Sequence, residues 1–91
     1  MELEGKKVLV IGASRGIGEA IAAACGKAGA ELVITGRNLD TIGAAAEKIR
    51  ENGCKVTPLA WDIADVSIAD EKIAEADSIM GGLDIIIHNA G

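Results

Sequence analysis

The sequence has no phenylalanine and no tyrosine, and Trp61 is its only aromatic residue. Any core must therefore be aliphatic. Proline occurs once, at Pro58, so almost nothing in the chain forbids regular hydrogen-bonded structure. Cys25 and Cys54 show no C-x-x-C spacing and share the chain with a single histidine, a set that argues against a zinc site. Cys25 falls in an alanine-rich helical run and reads as core. Two cysteines without a disulfide framework fit a reducing, cytoplasmic setting. Basic charge is also scarce, with 9 Lys and Arg against 14 Asp and Glu and a formal charge of −5. That field argues against broad binding to nucleic acid or to an anionic membrane. No apolar run approaches the roughly 18 residues of a spanning helix, and the opening MELEGKK lacks the apolar region of a secretory signal. The chain reads as soluble and untargeted, and its 91 residues make one small domain.

What the sequence does contain is an alternation. KVLVI at residues 7–11 is a short β-branched run closed by Gly12, the pattern of a buried strand. From Ile17, the residues Ile21, Cys25 and Ala28 recur at helical spacing, and Gly29 stops the helix. ELVIT at 31–35 is a second strand, followed by a helix with Leu39, Ile42, Ala46 and Ile49 on one face, ending near Asn52-Gly53. KVTPLA at 55–60 is a third strand, and Pro58 within it, lacking a backbone donor, predicts an edge position. A third helix is predicted from about Ser67 to Met80, with Gly81-Gly82 as its stop, and LDIIIH supplies a fourth strand. Ile85, Ile86 and Ile87 show no alternation, as in central parallel strands with both faces covered. Strands alternating with helices imply parallel pairing through right-handed crossovers, a βαβαβαβ chain of the α/β class.

The turn between the first strand and first helix, GASRGIG at 12–18, places Gly12, Gly16 and Gly18 in a G-x-x-x-G-x-G pattern. Glycines there turn the chain tightly, let backbone N–H groups approach a pyrophosphate, and let helix and strand pack closely. The free N–H groups and positive end of the following helix then face the phosphates. Such turns also arise for steric reasons alone. Here the turn follows a strand, opens a helix and lies in a βαβ unit, at the strand end where open α/β sheets bind ligands.

GASRGIG together with HNAG at 88–91 resembles the short-chain dehydrogenase/reductase family, in the flavour of the ketoacyl carrier-protein reductases. That family carries T-G-x-x-x-G-x-G after its first strand and N-N-A-G after its fourth. The resemblance implies a Rossmann-type doubly wound sheet with strand order 3-2-1-4. It implies that Gly12, Ser14, Arg15, Gly16, Ile17 and Gly18 line the pyrophosphate and ribose of a nicotinamide dinucleotide. Asp62 matches the aspartate at the adenine edge, and Asn89, Ala90 and Gly91 match the segment beneath the riboses. Ile11 departs from the pattern by replacing a Thr whose hydroxyl helps tie the turn to neighbouring backbone. His88 replaces the first Asn of N-N-A-G and reads as a packing or hydrogen-bonding residue.

In NAD sites of this architecture an acidic residue at the end of the second strand receives the ribose 2′-OH. Here ITGRN puts Arg37 in that neighbourhood, with no carboxylate before Asp40. A guanidinium there suits a 2′-phosphate through charge-assisted hydrogen bonds, and Arg15 can approach from the other side. Two solvent-exposed arginines would look the same in sequence. The expected cofactor is NADP rather than NAD.

By the same resemblance, hydride transfer relies on a Ser, a Tyr and a Lys that follow N-N-A-G, and this sequence has no tyrosine. Residues 1–91 thus read as the N-terminal half of an NADP-dependent oxidoreductase domain, without the catalytic half and without catalytic or metal-ligating residues of its own. With one helix over four strands, one face is expected to leave apolar surface open on the first and fourth strands. The alternative is a non-catalytic assembly module. Its partner would be a second copy, in a dimer or higher oligomer joined through the open fourth strand, or the missing half.

Overall fold

The computed structural model describes residues 2–13 and 16–89. Four strands, β1 (Lys7–Ile11), β2 (Glu31–Gly36), β3 (Val56–Ala60) and β4 (Ile85–His88), alternate with three α-helices, α1 (Gly16–Lys27), α2 (Leu39–Arg50) and α3 (Ala69–Met80). All strand pairs are parallel and the sheet order is β3-β2-β1-β4, the predicted 3-2-1-4. The register keeps carboxyl ends together: Ile11 lies opposite Thr35 on one side and His88 on the other, and Gly36 lies opposite Ala60. Pro58 sits on β3, which pairs with β2 alone and so is an edge of the described sheet, as its missing donor predicts.

Side chains alternate across the sheet and build two cores. Val8, Val10, Leu32 and Ile34 face Ala22 and Cys25 of α1 and Ile42, Ala45, Ala46 and Ile49 of α2. Leu9, Ile11 and Val33 face Ala76 and Met80 of α3, with Leu59 and Trp61 beside them. Two helices on one face and one on the other is the arrangement that right-handed crossovers impose.

Helix boundaries follow from local chemistry. The Asn38 side chain accepts from the backbone N–H groups of Asp40 and Thr41 at 2.8 and 3.3 Å, which opens α2. At the end of α1, Gly29 N–H donates to Gly26 and Ala30 N–H to Cys25, the paired bonds that close a helix and turn the chain into β2. The third helix starts later than predicted. Asp65 accepts from Ser67 N–H and holds Val66–Ile68 in a 3-10 turn before α3 begins at Ala69.

One expectation is corrected. Apolar surface on β1 was predicted to stay open, yet Val8, Leu9, Val10 and Ile11 are at most 3% exposed. The single helix is not the only cover. Trp61, Met80, Ala76 and the partly buried Leu83, Ile63 and Ile68 close the face over Leu9 and Ile11. The expectation holds on β4, where Ile86 is 48% exposed and Ile85 and Ile87 are half-buried. Among the described residues, no helix is long and apolar enough to cross a membrane.

Candidate functional site at the carboxyl ends of the strands

The Gly12 turn is held from both neighbouring strands. From β2, the Thr35 hydroxyl accepts from Gly12 N–H at 3.2 Å and the Thr35 carbonyl accepts from Ala13 N–H at 2.8 Å. From the β4 side, Asn89 N–H donates to the Ile11 carbonyl at 2.9 Å, and its side-chain Nδ2 donates to the Gly12 carbonyl at 3.3 Å. Gly12 has φ +83° and Gly16 φ +66°, a backbone region that side chains disfavour. Gly18 serves close approach: a Cβ there would stand 2.0 Å from the Gly12 oxygen and 2.7 Å from Asn89 Nδ2. Thus Gly12, Gly18 and Asn89 form one contact cluster joining β1, α1 and the end of β4.

Gly16 is exposed at the start of α1. Among the described residues, apart from its chain neighbours and its own helix backbone, no heavy atom lies within 4 Å of where its Cβ would be. Ile17 is 72% exposed, an apolar side chain at the start of α1. A glycine at the first residue of α1 leaves backbone rather than side chain at the helix N-terminus, the kind of surface that suits a phosphate group. Ser14, Arg15, Ala90 and Gly91 lie outside the described residues.

The other predicted positions line the same edge of the sheet. Arg37 follows the last residue of β2 and is exposed; among the described residues it makes no ion pair. Asp62 is exposed one residue beyond Trp61, whose backbone N–H donates to the Gly36 carbonyl at 2.8 Å and fastens the end of β3 to the end of β2. Asp62 Oδ1 accepts from Ala64 N–H at 3.0 Å, which turns the chain away from the sheet. With neighbouring strands about 4.8 Å apart, the row from Asn89 through Gly12 and Arg37 to Asp62 spans about 14 Å. That length suits an extended ligand.

His88 differs from expectation. It is exposed, and its side chain makes no hydrogen bond among the described residues, because β4 has no neighbour on that side to pack against. Thr35 is the residue that sequence reading passed over. A hydroxyl ending an otherwise aliphatic strand was the available signal, and its partner Gly12 lies 23 positions away.

Little else competes for the site. Burial pushes the Cys25 thiol above its ordinary pKa, so it stays protonated in the core, as its helical position predicts. Among the described residues no cluster of His, Cys, Asp and Glu is arranged to hold a metal ion. A cleft of about 430 Å³ opens at the opposite end of the sheet, between residues that include Glu4, Lys7, Asn52 and Cys54. Its lining gathers side chains of both charge signs, among them Glu4, Lys7, Lys27 and Glu31. In an open α/β sheet the carboxyl ends are the better guide to a ligand.

Comparison with known proteins agrees with this geometry. The sequence profile of the family described as short chain dehydrogenase matches residues 6–91. Gluconate 5-dehydrogenase of Gluconobacter oxydans is 37% identical over 89 residues, covering 98% of this chain and 35% of that protein. Glucose 1-dehydrogenase of the same organism is 42% identical over 88 residues, covering 96% and 33%. A metagenomic short-chain oxidoreductase solved in complex with NADP superposes with a TM-score of 0.92 at 32% identity, covering all of this chain and 41% of that one. The chain spans about a third of the length of the curated relatives it matches. On its strand order, its glycine turn and this profile match, the chain belongs to the short-chain dehydrogenase family.

Proposed function

We propose that residues 1–91 are the dinucleotide-binding N-terminal part of an NADP-dependent oxidoreductase, able to bind NADP(H) but not to turn over a substrate alone. The observation that carries this reading is the Gly12 turn, fixed from both sides, with exposed Gly16 opening α1 and exposed Arg37 at the end of the next strand. Gly12, Gly16 and Gly18 would hold the pyrophosphate against backbone N–H groups, with Ser14 and Arg15 completing the turn and Ile17 beside it. Asn89, Ala90 and Gly91 would support the riboses, and Asp62 the adenine edge. Arg37 would take the 2′-phosphate in charge-assisted hydrogen bonds where an NAD site needs a carboxylate. When bound, the nicotinamide supplies hydride chemistry; these residues only bind and orient it. With no tyrosine in the sequence, no phenol can serve as the proton donor. Paired titrations with NADPH and NADH test the reading, saturable binding that favours NADPH being the expected result.

Exposed Ile86 favours a second reading alongside the first, in which copies of the chain associate through the unpaired side of β4. Mass measured against concentration tests it. A chain that is monomeric at all concentrations rejects it.

A further inference from the structure

The buried Thr35 hydroxyl needs a reason. Thr35 is 1% exposed at the end of a strand whose preceding residues are Leu32, Val33 and Ile34, and it is the one buried polar side chain among the described residues. A hydroxyl taken from water is costly unless bonded, and valine has nearly its shape, so the position would be more simply filled by an aliphatic residue. What the hydroxyl supplies is one acceptor, 3.2 Å from Gly12 N–H. The Thr35 carbonyl takes Ala13 N–H whatever the side chain, so the hydroxyl acts on Gly12 alone. Ile11, next to the turn, has no hydroxyl to offer.

On the other side Asn89 Nδ2 donates to the Gly12 carbonyl. Both backbone polar groups of Gly12 are therefore held by side chains, one from β2 and one from beyond β4. We propose that Thr35 is a positioning residue of the dinucleotide site, setting with Asn89 the conformation of Gly12 and hence the direction in which the turn's N–H groups point. It acts through the backbone and touches no ligand. This inference rests on the reading of the turn as a dinucleotide site, and it adds a residue that the glycine pattern does not contain.

The test compares Thr35→Val, which keeps shape and removes the acceptor, with Thr35→Ser, which restores it. Ile34→Val serves as a control for lost packing in the same strand. NADPH and NADH titrations are followed by calorimetry and by fluorescence of Trp61, the only aromatic side chain. Thr35→Val is expected to weaken both nucleotides by about 5- to 10-fold, leaving their ratio unchanged, the loss expected of one hydrogen bond. Thr35→Ser and Ile34→Val should stay within about twofold of the parent, since neither removes the acceptor. Parent-like binding by Thr35→Val, or an equal loss in all three variants, overturns the proposal.

Amide hydrogen exchange at Gly12 separates this inference from the reading beneath it. Faster exchange in Thr35→Val alone supports the clamp, and unchanged exchange overturns it. A folded parent that binds neither nucleotide rejects the dinucleotide reading, whatever the exchange result.

Discussion

β1 and β4 are neighbours built from the same kind of residue, and they live in different surroundings. Val8 to Ile11 are closed on both faces, whereas Ile85 to Ile87 are half-buried or exposed, with β1 on one side and no partner on the other among the described residues. Composition does not separate them; coverage does. An aliphatic run without alternation says that a strand suits two apolar faces, and what is folded against it decides whether it gets them. β1 gets them through α1 and α2 on one face and α3 with Trp61 on the other. β4 reaches only the margin of the core under α1 and α2, through Ile85 and Ile87.

The contrast can be sharpened by truncating one buried and one exposed residue that lie opposite each other in the register, Leu9 and Ile86. Leu9→Ala should cost about 2–5 kcal/mol, as leucine truncations in closed cores do. Ile86→Ala should cost less than about 1 kcal/mol, as exposed substitutions do. Denaturant unfolding of both variants gives the comparison, and equal losses would mean that β4 is covered in solution. Next in size is Gly18→Ala, whose Cβ would collide with the Gly12 oxygen. We expect about 1–3 kcal/mol of destabilisation and loss of NADPH binding, read by thermal unfolding and titration together.

At Arg37 the expected effect is on affinity rather than on the fold. Arg37→Asp should weaken NADPH by about 10- to 100-fold, the equivalent of one or two charge-assisted bonds, and relatively favour NADH. Unchanged selectivity would remove the 2′-phosphate assignment. Smallest in stability is Ile86→Lys, which should change unfolding by less than about 0.5 kcal/mol while lowering any association through β4. Light scattering across concentrations reports it.

Much of this was legible in sequence because local rules wrote it. KVLVI, ELVIT and IIIH announce strands, and Pro58 marks an edge. The glycine pattern located the turn, and the tight fit of Gly18 against Gly12 is the close helix–strand approach it implies. What was not legible depends on residues far apart in the chain. Trp61 closes a face of β1 some fifty positions earlier, so its cover could not be counted from helices alone. Thr35 meets Gly12 only once β1 and β2 pair in register. The late start of α3 rests on a local bond from Asp65 that helical periodicity does not report.

The most direct test of the account is a calorimetric titration of the chain with NADPH, paired with NADH. The expected result is saturable binding to a folded chain, tighter for NADPH. A folded chain that binds neither nucleotide, or one that prefers NADH, would contradict it.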